Sequence, residues 1–393
     1  MSAFGGVIGN RRQKIDPQLI LNMSRSTMMR GVTEKDAYLN GPVGIFYNGR
    51  KSSEFAFQRQ PLTLTRNGKN YTLVLDGSIT GIRQILSPLP IQDGISPEEL
   101  ILESYLSLGI DFVGALQGSF SLCIWDEDRG EFLFARDREG SRPLFYTTDG
   151  ESLAFASEIK ALFRFLPDAA IIQSERLRAH VISPCGTYRP EELYRNIYAL
   201  PAGHCGIFSR MGMNIFAYPS VVFSVYENDP QNLPCPLPVP FCCPERDTLR
   251  KNLIDALFSF DYPQFDPWMP AVFHVLERLS SQGEQHPIIE DPILCQSISY
   301  AHERADRLGA CNGFDVLTTV SSEKVPRTRE LKKMSRLLDE LLEEADHTVL
   351  RYLFGKNWQE LPNEEKSLEK RIRIQGLLYQ SALWQRHYPI RIL

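Results

Sequence analysis

Nothing in this 393-residue chain approaches the 18 consecutive apolar residues that a membrane-spanning helix requires, so no membrane partner is expected. The opening residues, MSAFGGVIGNRRQK, lack the charged start and long apolar core of a secretory signal, which predicts a soluble cytoplasmic protein. Basic residues form no long run and the formal net charge is -5, so nucleic acid is not an expected partner either. The cysteines, at Cys123, Cys185, Cys205, Cys235, Cys242, Cys243, Cys295 and Cys311, include no C-x-x-C spacing. Reduced structural thiols fit that pattern better than zinc ligands, and no metal site is expected. Glycine is also scarce late in the chain. After Glu245 it occurs only at Gly283, Gly309, Gly313, Gly355 and Gly376, never in adjacent pairs.

The length exceeds one ordinary domain, and 43% apolar residues suffice for a core in each of two. Between Pro230 and Pro244 prolines fall at 230, 234, 236, 238, 240 and 244. Alternate prolines hold the backbone extended and forbid helix, which predicts a semi-rigid linker over 221–246 between domains at 1–220 and 247–393. The second domain reads as mainly helical. Candidate helices run from Asp247 to Phe258, Pro270 to Ser280, Ile293 to Leu308, Arg329 to Ala345 and Glu364 to Arg386. Leu331, Met334, Leu338, Leu341 and Ala345 form an apolar stripe suited to core packing or to a partner protein's helix.

The first domain is organised around Leu116 to Leu162. Phe120, Leu122 and Ile124 alternate with Ser119, Ser121 and Cys123, and a turn at Asp126 to Gly130 leads to Phe132, Leu133 and Phe134. Turns at Glu139 to Pro143 and Thr148 to Gly150 separate Leu144 to Tyr146 from Leu153 to Ala156, and Ser157 opens a helix. An antiparallel meander capped by a helix is predicted. Phe132 to Ala135 is apolar on both faces, so the sheet should be covered on both sides.

These same residues closely resemble the glutaminase domain of asparagine synthetases. The likeness runs through Leu116-Gln117-Gly118-Ser119-Phe120-Ser121, Ile124-Trp125-Asp126, Phe134-Ala135-Arg136-Asp137-Arg138, Arg142-Pro143-Leu144-Phe145-Tyr146 and Phe155-Ala156-Ser157-Glu158-Ile159-Lys160-Ala161-Leu162. Weaker matches reach from residue 1 to about Tyr218, including Leu200-Pro201-Ala202-Gly203-His204. The resemblance implies a class II glutamine amidotransferase domain of the N-terminal-nucleophile (Ntn) type. The expected fold class is therefore α+β: an αββα sandwich of two antiparallel sheets, followed by a mainly α-helical C-terminal domain.

The family's chemistry implies five positions to inspect. Its nucleophile is a cysteine after the initiator methionine, with the terminal amine as base; here the residue is Ser2, either a working serine nucleophile after methionine removal or a small residue left by decay. Arg50, after Asn48-Gly49, stands where the family grips the glutamine carboxylate, although an arginine there also suits a solvated hairpin end. Asp76 replaces the asparagine of the oxyanion hole, while Gly77 keeps the backbone N–H donor. Pro97 occupies the place of the aspartate that binds the substrate's α-amino group; the neighbouring Glu98 is a substitute, or simply part of a helix start from Glu98 to Leu108. Nearby, Arg30-Gly31 keeps half of a family turn, Gln60-Pro61 matches, and Asp137 is expected to form an internal ion pair with its arginine neighbours. ATP and magnesium are implied by the family alone, since no Ser-Gly-Gly-x-Asp-Ser loop is present.

The expected function is that of an asparagine synthetase-related protein whose glutaminase site is degenerate. It would be a pseudoenzyme scaffold or accessory component of amide-forming or natural-product biosynthesis, with a protein partner for the helical domain. The alternative is an active amidotransferase in which Ser2 hydrolyses glutamine and supplies ammonia to a separate synthetase of asparagine biosynthesis. A third reading is an asparagine-forming synthetase with an unrecognisable nucleotide site.

Overall fold

Alternation places the side chains of the central hairpin, and both of its faces are buried. The computed structural model describes residues 2–9, 14–27, 34–49, 59–80, 95–166, 170–182, 193–219, 237–238, 241, 243–282, 288–291, 317–320, 328–388 and 390–392. These divide into two compact units, residues 1–165 with 198–233 and residues 166–197 with 234–393.

In the first unit the chain runs β1 (Ala3–Ile8), α1 (Pro17–Ser26), β2 (Glu34–Asn40), β3 (Val43–Gly49), β4 (Leu62–Arg66), β5 (Lys69–Thr80) and α2 (Pro97–Leu108). It continues through β6 (Gln117–Asp126), β7 (Glu131–Arg136), β8 (Phe145–Thr148), β9 (Leu153–Ala156) and the short α3 (Ile159–Leu162). After β10 and α4, which belong to the second unit, it returns for β11 (Tyr198–Ala199), β12 (His204–Ser209) and β13 (Gly212–Ala217). Two six-stranded antiparallel sheets result, in the orders β11-β8-β9-β1-β3-β2 and β13-β12-β7-β6-β5-β4. Phe4, Val43 and Ile45 of the first sheet meet Val74, Cys123, Phe132 and Phe134 of the second. On the outer face of the second sheet, Leu73, Phe120, Leu122, Ile124 and Leu133 pack against Leu100, Ile101 and Tyr105 of α2. Helices α1 and α3 cover the first sheet, completing the expected αββα order.

The predicted meander is corrected in one respect. Strands β6 and β7 pair in the second sheet, whereas β8 and β9 pair in the first, so the turn at Glu139 to Pro143 carries the chain from one layer to the other. Its corner also corrects the expected ion pair. The Asp137 carboxylate instead accepts four backbone N–H groups, from Phe120 (3.2 Å), Glu139 (3.0 Å), Ser141 (3.0 Å) and Arg142 (3.2 Å). Arg136 donates to the carbonyls of Gly140, Arg142 and Leu200. Arg138 donates to those of Gly114 and Pro219 and lies over the Tyr218 ring.

The second unit begins earlier than the 220 boundary. Residues 166–197 supply β10 (Ala170–Ile172) and α4 (Ser174–Ile182), and β10 pairs in parallel with β17 (Ile390–Ile392) at the other end of the sequence. Most of the expected linker lies outside the described residues. Within it, β14 (Leu237–Pro238) pairs in parallel with β15 (Ile288–Asp291), which pairs with β16 (Leu317–Val320). The helices α5 (Arg246–Phe260), α6 (Met269–Ser281), α7 (Thr328–Glu344), α8 (Thr348–Phe354), α9 (Leu361–Glu364) and α10 (Leu368–His387) make the unit mainly helical. The proposed helix from Ile293 to Leu308 lies outside the described residues. Leu331, Met334, Leu338 and Leu341 are buried on α7, the helix that packs along α10. Among the described residues no helix is long and apolar enough to cross a membrane.

Candidate active site

Ser2 sits directly before β1, the strand threaded between β3 and β9 in the first sheet. Ser157 holds the head of that strand: its Oγ accepts the Phe4 N–H at 3.1 Å and its own N–H donates to the Phe4 carbonyl at 2.9 Å. Gly6 permits the close fit, because a Cβ there would lie 2.2 Å from the Gly44 carbonyl oxygen.

Asp76 reaches the same point from the second sheet. It lies on β5 opposite Ser121 of β6, and beside it Gln60 Oε1, two residues before β4 begins, accepts the Leu75 N–H at 2.7 Å. Gly77 follows at φ +109°, and a Cβ on it would lie 1.9 Å from the Ser119 carbonyl oxygen, so both conformation and space require glycine. Ser2 makes two bonds to one carboxylate oxygen. Its backbone N–H donates to Asp76 Oδ1 at 3.1 Å and its Oγ donates to the same atom at 2.6 Å. Asp76 is fully buried and Ser2 nearly so.

Two further groups bear on this pair. Tyr47 of β3 is hydrogen-bonded to Ser2; burial drives its pKa upward, the Ser2 bond opposes this, and the charges of Asp76, Glu34 and Glu98 add to the rise. It is therefore a neutral phenol at physiological pH. Glu98 stands in the first turn of α2, whose start is fixed by reciprocal bonds between Ser96 and Glu99, each at 3.1 Å. Its side chain has no solvent exposure and neither carboxylate oxygen has a hydrogen-bond partner. Burial raises its pKa, an effect that the nearby Glu98 backbone N–H and Ser96 side chain offset only in part, and the Glu99 charge adds to the rise. Pro97 is the first helical residue and offers no side-chain acceptor.

Of the positions identified from sequence, Ser2 and Asp76 thus come together with Gly77 next in the strand, and the charge of Glu98 acts on Tyr47. Arg50 and the Arg30-Gly31 turn lie outside the described residues. Tyr47 was not anticipated. In Gly44-Ile45-Phe46-Tyr47 it reads as another core residue, and its one signal is its place in the strand leading to Arg50.

Among the described residues, no late glycine belongs to a phosphate-binding loop. Of the late glycines that the structure describes, Gly355 ends α8 at φ +80°, and Gly376 lets the Phe265 ring approach to 2.1 Å of where a Cβ would be. Capping and helix packing account for both. Among the described residues no cluster of three or more His, Cys, Asp or Glu is placed to hold a metal ion.

Residues 1–219 match the family model of a glutamine amidotransferase domain. The chain is 32% identical over 166 residues to the glutamine-hydrolysing asparagine synthetase 3 of Bacillus subtilis, covering 41% of this chain and 27% of that protein. It is 29% identical over 168 residues to the asparagine synthetase 2 of the same organism, covering 42% and 22%. A third relative, the amidase chry2 of Gibberella zeae, is 38% identical over 72 residues, covering 18% and 11%. The chain therefore matches about a quarter or less of these relatives' own length. Among solved structures, the B. subtilis glutamine phosphoribosylpyrophosphate amidotransferase in complex with ADP and GMP aligns with TM-score 0.40 at 14% identity, covering 85% of this chain and 70% of that one.

Proposed function

Because the chain belongs to the glutamine amidotransferase domain family, as an asparagine synthetase-related protein with an N-terminal class II domain, we propose that its glutaminase activity is weakened and that it acts chiefly as an accessory component of amide-forming chemistry. One observation carries this reading: Asp76 Oδ1 receives both donors of Ser2. Attack on a carboxamide places negative charge on its oxygen. The family meets that charge with an asparagine amide and a glycine N–H; here a carboxylate replaces the amide, removing a donor and adding repulsion. Loss of one such donor costs about 3 kcal/mol, roughly 10² or more in rate. Serine compounds the loss, since a hydroxyl ionises far less readily than a thiol.

The pocket is nevertheless suited to bind glutamine. Buried and unpartnered, the Glu98 carboxylate is suited to the substrate's α-ammonium group in place of the missing aspartate. That observation favours the second reading, in which Ser2 hydrolyses glutamine slowly and the ammonia passes to a separate synthetase. The helical second unit serves in either case to engage a protein partner.

Glutamate release from glutamine tests the proposal, with intact-mass verification that Met1 is absent. The natural protein should turn over at or near the Ser2→Ala background, and Ser2→Cys with Asp76→Asn should exceed it by at least about 10². Turnover by the natural protein equal to or above that of the double variant would refute the weakened-site reading.

A further inference from the structure

We propose that Asp76 is a lock for the processed N-terminus: once Met1 is removed, the Ser2 α-ammonium pairs with the Asp76 carboxylate and ties the head of β1 to β5 in the other sheet. The inference rests on the amidotransferase reading for the removal of Met1 and not for any rate with glutamine.

The nitrogen is already in place. It lies 3.1 Å from Asp76 Oδ1, and the Ser2 hydroxyl reaches the same oxygen at 2.6 Å. Asp76 has no solvent exposure and Ser2 only 6%. The pairing of β1 with β3 starts at Ala3 and its pairing with β9 at Gly5, so neither ladder depends on Met1. Asp76 is held independently, opposite Ser121 of β6. Hydrolysis of the Met1–Ser2 peptide bond releases methionine and leaves the Ser2 nitrogen a primary amine. Where the amide presented one neutral N–H to the carboxylate, the protonated amine presents a charged donor at the same point, so both partners are now ionised.

The surrounding charge favours that protonated form. A terminal amine ordinarily titrates at about 8. Burial works against the cation, and a carboxylate within hydrogen-bond distance works for it. Tyr47 reports which sign prevails here: its phenol is bonded to Ser2, and the charges of Asp76 on β5, Glu34 on β2 and Glu98 on α2 all disfavour its anion. The same charges stabilise a cation at Ser2. An asparagine at position 76 carries no charge and would leave the amine at its ordinary pKa, free to act as a base. Aspartate converts the base into a structural cation, and each unit by which the amine pKa rises leaves about tenfold less free amine at neutral pH. Because the folded pKa is the higher one, the stabilisation is complete below the unfolded value of about 8 and is lost as pH rises through the folded value.

The test compares two full chains released from a cleavable leader, one beginning at Ser2 and one keeping Met1, each verified by intact mass. At pH 7 the chain beginning at Ser2 should melt at least about 4 °C above the other, and Asp76→Asn should remove that advantage. Carbamylation by cyanate, which takes only the unprotonated amine, reads the terminus through the mass of the N-terminal peptide. Its pH midpoint should lie at about 9 or above in the chain beginning at Ser2 and return to about 8 in Asp76→Asn. Equal melting temperatures for the two chains, an advantage that survives Asp76→Asn, or a midpoint at or below about 8 with Asp76 present would overturn the proposal. The last of these needs no variant, so it decides the matter even where Asp76→Asn does not fold. Glutamine turnover by the Ser2→Cys, Asp76→Asn variant is read separately, so failure of the weakened-glutaminase reading is distinguishable from failure of this one.

Discussion

Asp137 and Glu98 are both carboxylates with almost no exposure in the same unit, yet one accepts four backbone N–H groups and the other has no hydrogen-bond partner. The first arrangement organises a corner between two sheets and leaves nothing for a ligand. The second leaves a buried acceptor unused, which is costly to fold and leaves it available to a ligand. A motif kept for architecture and a residue kept for recognition can thus be told apart by where their hydrogen bonds go.

The sharpest test of that contrast is Asp137→Ala. Four buried N–H groups would lose their acceptor together, and a loss of about 4 kcal/mol or more is expected, measured by urea denaturation of the soluble fraction. A change under about 1 kcal/mol would show that the corner does not depend on it.

His180 of α4, in the second unit, extends the comparison to a buried base. Burial lowers its pKa to about 4, its ring nitrogen meets the Pro263 carbonyl at 2.6 Å, and the Arg373 charge adds to the lowering. The unfolded chain therefore binds more protons than the folded one between about pH 6.5 and 4. Stability should fall by about 3 kcal/mol as pH drops through that window, and His180→Gln should flatten the decline in melts taken at successive pH values.

Glu98→Gln should have the smallest effect and the opposite sign. Its raised pKa means that stability is lost as pH rises above the unfolded glutamate range, near 4.3. Removing the charge should stabilise the first unit at pH 7 by about 1 kcal/mol, read by calorimetry. Destabilisation would mean that Glu98 serves the fold, and the contrast with Asp137 would collapse.

Much of the first unit was legible because its strands alternate cleanly and are buried on both sides, as in Phe132 to Ala135. Helix α2 was legible through Pro97 and the acids after it, and its N-terminus lies one residue from the expected start. What alternation could not convey was the sheet to which each hairpin belongs. That depends on the Asp137 corner, whose carboxylate binds the backbone N–H groups of Phe120, Glu139, Ser141 and Arg142 and not the side chains of Arg136 and Arg138. Residues 166–197 lie within the 1–219 span of the amidotransferase domain, and nothing in their composition marks a boundary, yet the pairing of β10 with β17 across the length of the chain groups them with the second compact unit. The strands β14, β15 and β16 were too short, two to four residues each, to register as a parallel sheet. At the site, sequence identified Ser2, Asp76, Gly77 and Glu98 through departures from a known pattern. It missed Tyr47, whose role follows from a hydrogen bond.

The position of β1 in the middle of its sheet also has a kinetic meaning. Its head is pinned by Ser157, 153 residues further along, and at synthesis rates of about 5–20 residues per second that partner emerges roughly 8 to 30 s later. During that interval the first residues wait in the open, available to any enzyme that trims or modifies a nascent chain. Once β9 arrives the strand is enclosed, and the chemical state of Ser2 at that moment is the state the folded protein keeps.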